Sequence, residues 1–212
     1  MKRYAYTIGY AHHSQESFFE LLKQYGIQLV IDVRTMAYSR YHPQFNKEPL
    51  KHFLNERGIL YKQMKDAFGI VRPDSLLLNK EGYLDLTQIA KQPEFEKAIE
   101  QMIRGIEEGY HIAFMCAEKS PLDCHRSTLV ARALYERGYP IAHILHDGSV
   151  QTQKQIEKEL MDKYYSERGQ LQLFEMDEQD LLERAYEMQS NKIVATNGKR
   201  VLKENYNGPN KK

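Results

Sequence analysis

Short runs of consecutive apolar residues alternate with stretches of helical periodicity along most of this chain, and no other feature limits its fold as tightly. Leu29-Val30-Ile31, residues 112–115 and residues 141–145 are run-like, which suits strands buried on both faces. Tyr4 to Tyr10 and Ile59 to Met64 read as two further strands. Between them, Ser17 to Tyr25 sets Phe18, Leu21, Leu22 and Tyr25 at helical spacing and meets Gly26. Asn46 can cap a helix from Glu48 to Arg57, closed by Gly58. Pro93 to Glu108 places Phe95, Ile99, Met102, Ile103 and Ile106 on one face and meets Gly109. Leu122 to Arg137 and Gln151 to Tyr165 read as two more helices. Strands separated by helices predict an α/β fold: a three-layer α/β/α sandwich around a mostly parallel, about five-stranded Rossmann-like sheet. Residues 1–170 read as one domain and 171–212 as a C-terminal helix and basic tail. Residues 189–212 carry six Lys and Arg against Glu204 alone, and a solvated, frayed end is expected there.

Size and charge narrow the function classes. A chain of 212 residues buries about 70 % of its unfolded surface and needs no disulfide or zinc staple. Thirty Lys and Arg against 29 Asp and Glu leave a net charge of +1, which argues against a protein built to coat nucleic acid. A small anionic ligand is therefore the expected partner, with nucleic acid less favoured. Two cysteines make no secreted disulfide framework. The sequence shows no signal-peptide pattern and no apolar run of membrane-spanning length, so a cytoplasmic protein without a membrane partner is expected.

In an open α/β sheet, ligands bind beyond the carboxyl ends of the strands, at a topological switch point. His12 and His13 follow the first strand; Asp32, Arg34, Ser39 and Arg40 follow the second. Cys116, Glu118, Cys124, His125 and Arg126 follow the fourth. Cys124, His125 and Arg126 are expected in the first turn of a helix, where free N–H groups and the helix dipole attract anions and favour a thiolate. Cys124 could pack or bind without bonding covalently, act as a nucleophile, or ligate a metal. The spacing Cys116-x7-Cys124-His125 is no zinc-ribbon spacing, and consecutive residues rarely point at one ion, so no metal is assigned and the cofactor is unknown. Neither cysteine opens a Cys-x5-Arg phosphate loop, because Leu122 and Val130 stand where the arginine would be. Asp32 either holds Arg34 toward a ligand or simply pairs with it. Tyr38 to Phe45 interleaves aromatic and cationic residues, which suits base stacking or an ordered surface loop. His143 reads as a satisfied core histidine.

Thr7-Ile8-Gly9-Tyr10, Asp32-Val33-Arg34 with Ser39-Arg40, Phe45, Tyr61, Cys116-Ala117-Glu118 with Cys124-His125-Arg126, and His143-Ile144 with Asp147-Gly148 follow one another in that order. The pattern resembles the bacterial and archaeal domain-of-unknown-function family numbered 488, over roughly residues 4–165. The resemblance implies a cytoplasmic α/β domain and supplies no reaction. Ala37 stands where similar sequences often carry proline, and Phe68-Gly69-Ile70 replaces a common Leu-Gly-Gly, both in loops expected to rim the crevice. Asp-Val-Arg after a buried strand is also similar to rhodanese domains, whose cysteine loop is missing here. The leading expectation is an enzyme whose catalytic residues are Cys124, His125 and Glu118. Asp32, Arg34, Ser39, Arg40, Arg126, Cys116 and His12 would bind a small anionic, nucleotide-like substrate. The rivals are a non-catalytic nucleotide or nucleic-acid binding module and a metal-stabilised structural domain.

Overall fold

The computed structural model describes residues 4–70, 77–79, 84–165 and 177–206, with side chains as far as residue 196. The expected boundary at 170 and the last residues, 207–212, lie outside the described residues. In chain order the elements are β1 (Ala5–Gly9), α1 (Gln15–Gln24), β2 (Leu29–Asp32), α2 (Lys47–Asn55) and β3 (Leu60–Gln63). Then come α3 (Lys65–Phe68), α4 (Leu86–Ala90), α5 (Pro93–Glu107) and β4 (Ile112–Cys116). A π-helical segment, Arg126–Ala131, runs into α6 (Arg132–Glu136). β5 (Ile141–Ile144), β6 (Val150–Thr152), α7 (Gln153–Tyr165) and α8 (Glu178–Tyr206) complete the chain.

The strands form one sheet in the order β3-β2-β4-β1-β5-β6. All neighbours are parallel except β5 and β6. The sixth strand corrects the sequence reading, which ran a helix from Gln151. Asp147 bends the chain there by accepting from the Ser149 amide at 3.0 Å, and Gly148 takes φ +82°, so Val150–Thr152 folds back on β5. Helices cover both faces. α1 and α2 pack with Val30, Ala113 and Met115 on one face. α3, α4, α5 and the π-helical segment pack with Ile31, Phe114 and Cys116 on the other. Every residue of β4 is buried, which accounts for its unbroken apolar run.

This topology makes a switch point. In the sheet order, the chain leaves β2 away from β4, toward β3 through α2 on one face. It leaves β4 in the opposite direction, toward β5 through α6 on the other face. The loops diverge over the shared edge of β2 and β4, where Val33 N donates to Met115 O at 3.1 Å.

The C-terminal segment is corrected over residues 189–194. α8 continues through them, and Gln189, Ser190, Ile193 and Val194 are buried. Ile193 and Val194 join the main core, and Gln189 Nε2 donates to Leu122 O at 2.8 Å. The lysines around them hid an apolar face two residues wide.

His143 is a core histidine, as the sequence suggests. Its Nδ1 lies 2.8 Å from Thr7 Oγ1 and its Nε2 2.8 Å from Gln153 Oε1. Gln153 in turn donates to Tyr186 Oη at 2.8 Å, so the chain of bonds ties the sheet to α7 and α8. Burial first, then the nearby Arg126, pushes the imidazole down to about 3. Its folded pKa is lower than its unfolded value, so the unfolded state binds the extra proton between pH about 6.5 and about 3. The stability that neutral His143 contributes is complete above that window. It falls by as much as about 1.4 kcal/mol per pH unit as pH drops through it. Denaturant midpoints measured from pH 7 to pH 4 should show the slope, and His143→Gln should flatten it. Parallel profiles would mean that His143 is not the group responsible.

Candidate functional site

Asp32 ends β2 with no solvent exposure, and its carboxylate is filled by four donors. Arg34 gives its backbone N–H at 3.0 Å, Nε at 2.9 Å and Nη2 at 2.6 Å, and Tyr61 gives its hydroxyl at 2.5 Å. The register explains Tyr61: Val30 pairs with Tyr61 across β2 and β3, so Tyr61 and Asp32 emerge on the same face. Arg34 Nη2 also donates to Phe45 O at 2.9 Å. The guanidinium carbon lies 5.0 Å from the Tyr10 ring centroid, and Tyr10 stacks on Phe45 at 4.5 Å. Burial opposes the Arg34 charge, but its bond to Asp32 outweighs that and raises the pKa further. One nitrogen is unspent: Nη1 is buried and finds no hydrogen-bond partner among the described residues.

The second group lies on the other face of the same sheet edge. Cys116 ends β4, and Cys124 and His125 sit where the next helix begins. Cys116 Sγ is 3.8 Å from His125 Nδ1, and Cys124 Sγ is 3.0 Å from Glu118 Oε2. His125 Nε2 lies 3.1 Å from Val33 O, so the backbone of β2 fixes the ring. Cys116, Cys124, His125 and Arg126 are buried, and Glu118 is half-buried. Burial raises the Tyr10 hydroxyl pKa, and the charge of Arg34 works against that rise.

Sulfur and carboxylate at 3.0 Å share one proton. Burial alone would raise Cys124, but the hydrogen bond with Cys116, the charge of Arg126 and the His125 ring hold it well below its ordinary value. Burial and the Cys124 sulfur raise Glu118. Burial and then Cys124 push the Cys116 thiol well up. His125 is raised against its burial, chiefly by its bond to Cys124. The directions make Cys124 the more acidic and Cys116 the less acidic of the two thiols.

Several site residues stand differently from the sequence reading. Cys124 precedes the helix instead of lying in its first turn. Its carbonyl takes the Ser127 N–H, and its sulfur takes the Arg126 N–H at 3.5 Å, so that turn does not offer its N–H groups outward. Arg126 has no exposure; Nη1 donates to Glu118 O at 2.7 Å and Nη2 to Lys119 O at 3.2 Å. It latches the loop that carries Glu118. Ser39 Oγ accepts from the Tyr41 and His42 amides, both at 3.2 Å, and so shapes its own loop. Asn46 stands at the start of α2, but its carboxamide accepts from Ser39 N at 2.6 Å instead of capping the helix. Arg40 and His12 are exposed, and His12 adopts φ +71°. Phe68 and Ile70 do not rim the crevice. Phe68 packs against Phe95 and Phe114 in the core, with ring centroids 5.5 and 6.0 Å away, and Ile70 joins the same cluster.

Tyr10 and Gly9 were assigned no role from the sequence. A Cβ at Gly9 would lie 1.9 Å from Glu118 O, so only glycine lets the loop after β4 rest on β1. The available signal was a glycine inside the Tyr4–Tyr10 strand run, which marks close backbone approach.

Fold and site define an α/β protein with a buried thiol, imidazole and carboxyl cluster at a switch point. The model of the family described as Domain of unknown function DUF488 matches residues 14–133, more than half of the chain, and the chain belongs to this family. The matched stretch holds the Asp32–Arg34 and Cys116–Arg126 motifs and is narrower than the resemblance read from the sequence. No curated protein and no solved structure matches the chain.

Proposed function

We propose that the chain is an enzyme acting on a small anionic substrate, nucleotide-like in the first instance, at the β2–β4 edge. Arg34 holds the charge of the substrate, and Cys124, His125 and Glu118 supply its covalent or proton chemistry. The observation that carries this reading is the unspent Nη1 of Arg34. A salt bridge kept for stability alone has no use for a buried, unpartnered donor, whereas an anion would complete it. Arg126, engaged with backbone carbonyls, positions the loop. Cys116 and Cys124 are free thiols, which fits the reducing cytoplasm. Among the described residues no helix is long and apolar enough to cross a membrane.

Calorimetric titration with phosphate, pyrophosphate, nucleoside phosphates and small carboxylates tests the proposal. Arg34→Lys keeps the charge but loses the planar fork, and at least about tenfold weaker binding is expected. Absence of binding across the panel, or binding indifferent to Arg34, would overturn the anion site. Once a ligand is found, Cys124→Ser separates the two classes. Retained binding with lost turnover supports the enzyme; a ligand that is bound and never converted makes the protein a binding module.

A further inference from the structure

We infer that Cys116, Cys124, His125 and Glu118 together bind a thiophilic divalent transition-metal ion of the zinc class. The inference concerns the cluster of the proposed site and does not depend on Arg34 or on any anion. Its basis is the convergence of donors that the sequence spacing does not announce. The two sulfurs and a ring nitrogen of His125 all lie within 4.8 Å of one another, and all three residues are buried. In a tetrahedral zinc site with Zn–S near 2.3 Å and Zn–N near 2.0 Å, neighbouring ligand atoms are separated by about 3.5–3.8 Å. The Cys116 Sγ to His125 Nδ1 distance of 3.8 Å is about 0.3 Å longer than the sulfur–nitrogen edge of about 3.5 Å, so a small shift lets both atoms reach one ion. The Cys124 sulfur lies within 4.8 Å of both.

The surroundings are those of a metal ligand set. His125 has its Nε2 on the carbonyl of Val33 at 3.1 Å, which leaves Nδ1 facing the sulfurs. Metal-bound histidines almost always anchor their second nitrogen in this way. The Arg126 amide points at Cys124 Sγ at 3.5 Å, a bond suited to a ligating thiolate. Two thiolates neutralise a dication, and the Glu118 carboxylate is offset by the buried Arg126 guanidinium that holds its carbonyl at 2.7 Å. Sulfur and imidazole donors select zinc and its soft neighbours over magnesium or calcium. Glu118 Oε2, hydrogen-bonded to Cys124 Sγ at 3.0 Å and outside the group of three, is assigned the fourth place, which it reaches by giving up that bond. It is also the one half-buried member of the four, and so the ligand that water or a substrate oxygen can displace. Cys124 then acts as a ligand instead of an attacking atom, and Glu118 accepts a proton only once it is displaced from the ion.

Elemental analysis of the purified full chain, followed by cobalt(II) reconstitution after chelation, tests the site. The expected result is one thiophilic metal per chain that survives dialysis, together with thiolate-to-cobalt charge transfer in the near ultraviolet and intense tetrahedral visible bands. Cys116→Ser and Cys124→Ser should each weaken the charge-transfer band and lose the bound equivalent. Glu118→Gln should keep the band and bind less tightly. Where a serine variant fails to fold, mercurial titration of the wild-type thiols should release the metal in proportion to thiols blocked. A folded wild-type chain that is metal-free as purified and shows no cobalt–thiolate band overturns the site, as does uptake of magnesium or calcium alone. Arg34→Lys should keep its full metal content, so a failed anion titration and a failed metal analysis are separate results.

Discussion

Replacing Asp32 with alanine is expected to lower folding stability by about 3–5 kcal/mol, because it strands the Arg34 charge inside the protein. Arg34 is 5 % exposed and Asp32 not at all, so neither charge is screened by water. The loss extends past the ion pair. Tyr61 would keep a buried hydroxyl without its acceptor, and Arg34 Nη2 would be left with the Phe45 carbonyl alone. Domains of this kind are stable by about 5–15 kcal/mol, so the substitution removes about a fifth of the total or more. Urea unfolding with an unchanged slope measures the effect. Arg34→Met in the Asp32→Ala background should recover part of it, since the stranded charge is then gone. A loss below about 1 kcal/mol would show that the pair behaves like a surface ion pair.

Gly9→Ala should be nearly as damaging by a different route. A methyl group at that position would lie 1.9 Å from the Glu118 carbonyl oxygen and 2.9 Å from its carbon, both backbone atoms that cannot rotate aside. The loop after β4 must lift, and the acceptor of Arg126 Nη1 lifts with it. Overpacking combined with a lost hydrogen bond to a buried charge costs about 3 kcal/mol or more. Thermal unfolding reads the stability loss. Alkylation of Cys124 under native conditions reads the lift, because the sulfur is sealed in the wild-type structure. Labelling as slow as in the wild-type protein would mean that the strand moves instead of the loop.

Much of the sheet was legible because two-sided burial writes itself as apolar runs. Leu29-Val30-Ile31 and the residues of β4 needed no partner information to be recognised. β6 was not legible, since three polar-edged residues beside a long helix carry no strand period, although Asp147-Gly148 marked the turn before them. The buried face of α8 was masked by Lys192 beside Ile193 and by the basic residues from Lys199 onward. At the site, the sequence located the right edge of the sheet but not the direction of each bond. An arginine at a helix start reads as a ligand donor, yet Arg126 satisfies two loop carbonyls. A serine beside Arg40 reads as a polar contact, yet Ser39 closes its own turn. The nearness of Cys116 to His125 depends on how a strand end and a helix start are joined through the intervening loop, and spacing along the chain does not encode that.

The position of β1 has a consequence for assembly of the chain. β1 lies between β4 and β5, where Tyr6 meets Ala113 on one side and Ala142 on the other. β1 therefore leaves the ribosome more than a hundred residues ahead of β4 and β5, and has neither sheet neighbour until β4 has been made. Such long-range closure is slow, and it leaves an adhesive strand exposed during synthesis. The stretch matched by the family model contains β4 but neither β1 nor β5. A polypeptide cut to that stretch would keep the chemistry-bearing residues yet present the open side of β4 as an unprotected edge, and self-association would compete with folding.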